Sequence, residues 1–283
     1  MSRSKTLTVI ALAGLTGPAF AGCASDAEIA AFVADVAAKT PTKALSAGGS
    51  IEDARCTQAK LAKAIEPVLG PVVGYKVGLT SKPVQERFGL TEPVQGVLYG
   101  GGLVPSGASV PAAFGAIPLY EADLILVVGS DSINGATTIE EALAHISAIR
   151  PFMELPDLTL AQGEPITGVT LTAMGVAPRM GVMGDDIPVE DTASLHTALA
   201  EMTVTMTDGA GNVVSEAPGA AVMGHPVNSV LWLMSKGIAL KQGDLISVGA
   251  FGPLVPTANA NGGATLTYTG LPGDPSISVT FTE

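Results

Sequence analysis

The sequence predicts an α+β fold, a β-rich body with a helical pair at its N-terminal end. Seven short runs, "GYKVGLT", "LYEADLILVVG", "MTVTMTD", "NVVSEA", "GDLISVGAF", "ATLTYTG" and "SISVTFT", are rich in β-branched and aromatic residues. Gly, Pro, Asp and Asn separate them, which is how strands and turns alternate. Two earlier stretches, "DAEIAAFVADVAAK" and "SIEDARCTQAKLAKAI", have helical spacing instead. With 283 residues, 47% of them hydrophobic, the chain is long enough to bury a substantial core.

From the N-terminus, Arg3 and Lys5 precede the apolar run "LTVIALAGL" and then Ala19-Phe20-Ala21. A basic start, a short apolar stretch and a small-x-small site are the parts of an export signal, so residues 1–21 are expected to be a cleaved leader and the mature protein periplasmic. "FAGC" also loosely matches a lipoprotein processing site, which leaves a lipid anchor at Cys23 as the minor alternative. The helical segment is expected over residues 22–69. Its two cysteines, Cys23 and Cys56, either pair, as an oxidising compartment permits, or remain separate thiols. Between the helices, "TPTKALSAGG" is expected to be a flexible joint.

The main body, residues 70–283, carries the strands. "IEEALAHISAIR" is expected to be one helix, with acids in its first turn and Arg150 before Pro151. "DGAG" between two β-branched runs predicts a hairpin over Met202 to Glu216. A second helix is expected in "GHPVNSVLWLMSKG", with Pro226 early and Gly237 late. No stretch after the leader is long and apolar enough to span a bilayer.

Acidic residues outnumber basic ones 26 to 14, a formal net charge of -12. Nucleic acid is thereby disfavoured as a partner, because phosphate neutralisation needs clustered Lys and Arg. Within "YEADLILVVG", Glu121 and Asp123 are two residues apart on a strand and so share one face. Two carboxylates on an otherwise apolar strand call for a cation or a shared proton. His225 in "GHPVN" stands at a helix start, where a structural hydrogen bond is the ordinary role.

Five segments in order, "GYKVGLTSKPVQERFG", "YEADLILVV", "RPFMEL", "GHPVNSVLWL" and "GDLISVGAFGPLVP", resemble the 2-oxopent-4-enoate hydratases and 4-oxalocrotonate decarboxylases of the fumarylacetoacetate hydrolase superfamily. The resemblance runs from about Ile51 to the C-terminus. It implies a mixed β-roll, a Mg²⁺ or Mn²⁺ site, chemistry on a small-molecule 2-oxo acid, and a homo-oligomer. By position it assigns Glu121, Asp123 and Glu154 to the metal and Lys76 to the substrate.

The chain also departs from that pattern. Val94 in "EPVQG" stands where an acid is usual, Val176 and Pro178 in "GVAPR" replace polar residues, and Val248 replaces a Thr, so the pocket is expected to be less polar. Asp123 is one methylene shorter than the usual Glu. Three readings follow: a metal-dependent lyase, hydratase or decarboxylase in type, acting on an acid such as 2-hydroxypenta-2,4-dienoate; an exported noncatalytic binding or structural protein on the same scaffold; and a carbon-carbon bond hydrolase of a diketo acid.

Overall fold

The structure, a computed structural model, describes residues 22–283, so the expected leader lies outside it. Three helices come first: α1 (Asp26–Ala38), α2 (Ile51–Ala64) and the single turn α3 (Glu66–Leu69). Ser25 and Ser50 start the two longer helices with reciprocal capping boxes to Glu28 and Asp53. Such caps satisfy amides that the helix itself cannot, each worth about 1 kcal/mol. Cys23 and Cys56 form a disulfide across a Cα–Cα distance of 5.4 Å. The expected joint is instead tied down: the Thr42 amide donates to the Thr159 carbonyl at 2.7 Å, and the Thr42 carbonyl accepts from Ala161 at 2.8 Å.

The body begins with β1 (Val72–Gly78), α4 (Lys82–Arg87), β2 (Val94–Tyr99), β3 (Leu103–Pro105) and β4 (Ala108–Pro111). Then come β5 (Leu119–Val128), α5 (Ile139–Leu143), β6 (Ile146–Leu155), α6 (Gly168–Ala173), β7 (Met180–Met183) and β8 (Ile187–Pro188). The chain continues through α7 (Thr192–Glu201), β9 (Thr203–Asp208), β10 (Val213–Pro218) and α8 (Asn228–Ser235). It finishes with β11 (Leu245–Ser247), β12 (Val255–Pro256), β13 (Gly263–Thr269) and β14 (Ser276–Thr282). No described helix is long and apolar enough to cross a membrane.

Nine strands make one mixed sheet in the order β2-β1-β11-β5-β6-β7-β3, with β12 paired to β5 and β8 to β6. A five-stranded sheet, β10-β9-β13-β14-β4, packs against it. The predicted hairpin is β9 and β10, where the Asp208 carboxylate accepts from the Ala210 and Asn212 amides and so closes the turn. Alternation divides β5 cleanly. Tyr120, Ala122, Leu124, Leu126 and Val128 enter the main core with Leu266, Tyr268 and Phe281 of the second sheet. Glu121, Asp123 and Ile125 face the other way, yet they are buried too.

The helix expected over "IEEALAHISAIR" is a correction. Helix α5 stops at Leu143, and from Ile146 the chain is strand β6, paired with β5 almost along its length. Glu140 and Glu141 did mark a helix start, through the Thr138 capping box. The strand wins beyond it because pairing with β5 buries Ile146, Ala148 and Ile149. Pro151 fits inside β6 because it falls between the part paired to β8 (Ala148, Ile149) and the part paired to β7 (Phe152 onward). A proline there forfeits no ladder bond.

Candidate active site

Three strands, β1, β5 and β6, bring the expected site residues to one face of the large sheet, the face turned from the main core. Glu121 on β5 is the register partner of Glu154 on β6, so their side chains stand directly opposite. Lys76 on β1 is the partner of Ser247 on β11, which lies next to β5. Lys76, Glu121, Asp123 and Glu154 are all buried. The Lys76 ammonium forms an ion pair with Glu154 Oε1 and donates to the Val176 carbonyl at 2.8 Å. Among the described residues Glu121 Oε2 is buried with no hydrogen-bond partner.

The Val176 carbonyl reaches Lys76 because of how α6 ends. The Gly175 amide donates to Thr172 and the Val176 amide to Leu171, the paired bonds of a Schellman cap, with Gly175 at φ 75°. Val176 and Ala177 follow at φ 63° and 55°, a left-handed conformation that a β-branched residue adopts only at a cost. This turn roofs the site. A Cβ on Gly96 would lie 2.2 Å from the Gly175 carbonyl oxygen, and one on Gly78 would lie 2.5 Å from Val176 Cγ1. Both glycines therefore permit the close approach.

Asp123 lies on the same face but is already engaged. Its Oδ1 accepts from the Leu124 amide at 2.6 Å and the Gly249 amide at 3.0 Å, and its Oδ2 from the Ser247 hydroxyl at 2.5 Å. Among the described residues no group of three carboxylate, histidine or cysteine side chains is arranged to hold a metal ion. The structure thus joins Glu121, Glu154 and Lys76, and leaves Asp123 beside them in a network of its own. Burial and the charge of Glu154 push the Asp123 carboxyl up to about 7 against the pull of its three donors. Burial, then Glu154, push Glu121 well above the usual carboxylate range, with Lys76 opposing.

The three valine departures do not share one fate. Val94 and Val176 both stand over Gly78 and form an apolar wall beside Lys76. Val248 points into the main core, so it takes no polarity from the pocket, and the expectation for it is corrected. Neighbouring Ser247 faces the site and is the polar group that sequence reasoning missed. Tyr268 was missed as well: its hydroxyl, from the second sheet, accepts from the Phe152 amide and directs its one proton at the Asp123 carbonyl, with the Phe152 carbonyl as the more distant acceptor, between β5 and β6. His225 is structural, as expected: its Nδ1 accepts from the Val227 amide at 3.1 Å and its Nε2 meets the His196 carbonyl at 3.0 Å. Burial lowers its pKa.

Curled sheets with few helices match the fumarylacetoacetate hydrolase-type fold of solved structures. The fold matches 4-oxalocrotonate decarboxylase from Pseudomonas putida, complexed with magnesium and adipate, at a TM-score of 0.75 and 22% identity over 92% of this chain and 100% of that one. No protein-family profile matches the chain. It is 32% identical to 2-keto-4-pentenoate hydratase of Paraburkholderia xenovorans over 188 residues, 65% of this chain and 68% of that protein. It is also 32% identical to 2-hydroxyhexa-2,4-dienoate hydratase of Comamonas testosteroni over 193 residues, 66% of this chain and 71% of that protein. The chain belongs to the 2-keto-4-pentenoate hydratase family, in the hydratase and decarboxylase branch of the fumarylacetoacetate hydrolase superfamily.

Proposed function

We propose that the protein is a divalent-metal-dependent hydro-lyase acting on a short 2-oxo or 2-hydroxydienoate acid such as 2-hydroxypenta-2,4-dienoate. One observation carries the reading: the buried Lys76 ammonium uses two of its three donors, on Glu154 and Val176, beside a glutamate oxygen that has no partner. The relatives named as hydratases support this reading over the noncatalytic and carbon-carbon hydrolase alternatives.

The donor set fits Mg²⁺ or Mn²⁺, hard cations that take oxygen ligands and keep waters in their remaining positions. Glu121 and Glu154 would hold the ion, and the unpartnered Glu121 oxygen is where positive charge is missing. When bound, the cation supplies Lewis-acid stabilisation of the negative charge that develops on the substrate's 2-oxygen. Lys76 offers its third N–H to the substrate carboxylate or enolate, and Glu154 and the Val176 carbonyl fix its direction. The Val94–Val176 wall keeps water from that side, so the charge contacts act in a medium of low dielectric. Loss of the dienol absorbance on adding Mg²⁺ or Mn²⁺ to purified protein, absent in Glu121→Gln, is the expected result. No turnover in the presence of bound metal would exclude this substrate and return the noncatalytic reading.

Export to the periplasm and homo-oligomeric assembly belong to the same proposal. The basic-apolar-small leader pattern and the Cys23–Cys56 disulfide support export, since disulfides persist in oxidising compartments. A sulfur committed to that bridge cannot also carry a lipid thioether. Native mass spectrometry of a periplasmic extract checks both points. A multiple of a chain that begins at Gly22 is expected; a single chain that retains Met1 would sink them.

A further inference from the structure

We infer that Asp123 stands outside the cation's ligand set and is a positioning residue for the Ser247–Gly249 segment, leaving Glu121 and Glu154 as the only carboxylate arms. The inference rests on the cation site proposed above.

A carboxylate oxygen has two lone-pair sites, and Asp123 Oδ1 fills both, with the Leu124 and Gly249 amides. Oδ2 takes the Ser247 hydroxyl, and the side chain is completely buried. The short aspartate arm keeps the group close to its own backbone, which is how the amide of the very next residue can reach it. Glu121, two residues earlier on the same face, has an oxygen with no partner at all. The protein fills three of the four acceptor sites of Asp123, whereas Glu121 keeps an oxygen with none filled.

What Asp123 holds bears directly on Lys76. Past the end of β11, the Val248 amide donates to the Leu124 carbonyl at 3.0 Å and the Phe251 amide to Ala122 at 2.9 Å, so this segment stays stitched to β5. Gly249 stands at φ 111°, and a Cβ there would lie 2.8 Å from the Val77 carbonyl oxygen and 2.5 Å from Thr80 Cγ2. The segment therefore presses on β1 immediately after Lys76, whose register partner is Ser247 itself. Asp123 ties β5 to the strand that sets the height of Lys76 in the site.

The test is a Mn²⁺ titration of the mature protein, followed by the electron paramagnetic resonance of free Mn²⁺, with steady-state kinetics on the same samples. Glu121→Gln and Glu154→Gln are expected to weaken Mn²⁺ by about a hundredfold, and Asp123→Asn by no more than about threefold. Asp123→Asn and Ser247→Ala are expected to raise KM about tenfold with a smaller change in kcat, because the substrate's cationic partner has moved. Asp123→Asn weakening Mn²⁺ as much as Glu121→Gln would make Asp123 a ligand and overturn the inference while the cation site stands. Unchanged Mn²⁺ affinity in both glutamate variants would overturn the cation site itself. Should Asp123→Asn fail to fold, Ser247→Ala decides: a shift in Mn²⁺ affinity of about tenfold or more is what loss of a ligand's own hydrogen-bond partner produces, and it would refute the inference. Unchanged KM in Ser247→Ala would remove the positioning role.

Discussion

Glu121, Asp123 and Glu154 put three acids, and Lys76 one base, where water hardly reaches. At most one of the three negative charges is balanced within the group, so the cation-free site is most stable when it holds protons. The sign of the pH dependence follows. The Asp123 carboxyl rises from its ordinary 3.8 to about 7, and Glu121 is raised as well. The folded state then binds more protons than the unfolded chain across that interval, and stability falls as pH rises. It is fully present below the ordinary carboxylate range and lost through about pH 7, with Asp123 alone worth on the order of 4 kcal/mol. Acids with lowered values, such as Asp208 at about 2, act in the opposite sense only below that window, and the lowered His225 opposes the fall inside it as one group against two. In a chelator, the melting temperature is expected to decline from pH 4 to 8, less steeply in Glu121→Gln. Saturating Mg²⁺ is expected to restore it at the alkaline end. A flat or rising profile without metal would show that the acids ionise at no cost.

At the scale of strands and turns, what was legible in the sequence is what depends on local spacing. Glu121 and Asp123 share a face by the strand repeat alone, and the same repeat sends Val248 to the core and Ser247 to the site, although the chemistry of Val248 had drawn attention first. The hairpin and α8 were legible because "DGAG", Pro226 and Gly237 fix backbone angles locally. Strand β6 was not, because its helical-looking start and its proline are overruled by partners distant in sequence, β5, β7 and β8. Family resemblance supplied Lys76 and Glu154, but not what holds them. The Val176 carbonyl is presented by a helix-ending turn 100 residues from Lys76, and the partner that occupies Asp123 is 124 residues away. No window of sequence carries such pairings. The strained Val176 is consistent with this: a residue poorly suited to its backbone persists where the surrounding structure dictates the angle.

Over the whole molecule, the N-terminal helices are a second wall of the site. Their core joins Phe32, Leu61 and Leu69 to Tyr99 of β2 and to Leu171, Met174 and Ala177 of the α6 turn. Gln58 makes the join specific. Its Nε2 donates to the Gln95 carbonyl at 2.6 Å and the Thr172 carbonyl at 2.7 Å, holding β2 beside Gly96 and α6 just before the cap that aims Val176 at Lys76. Cys56 lies half a turn before Gln58 on α2, and its bond to Cys23 spans 33 residues. Closing a loop of that size removes about 3–4 kcal/mol of unfolded-chain entropy. Cys56→Ser, or reduction of the native protein, is therefore expected to lower unfolding stability by about that amount in urea. It is also expected to raise KM more than it lowers kcat, because loosening α2 disturbs the Lys76 cradle and leaves the glutamates on β5 and β6 in place. A loss of stability with KM unchanged would confine the staple to the N-terminal helices. If both quantities move, formation of the Cys23–Cys56 bridge completes the substrate side of the site, and the reduced chain would be a poorer catalyst than the bridged one.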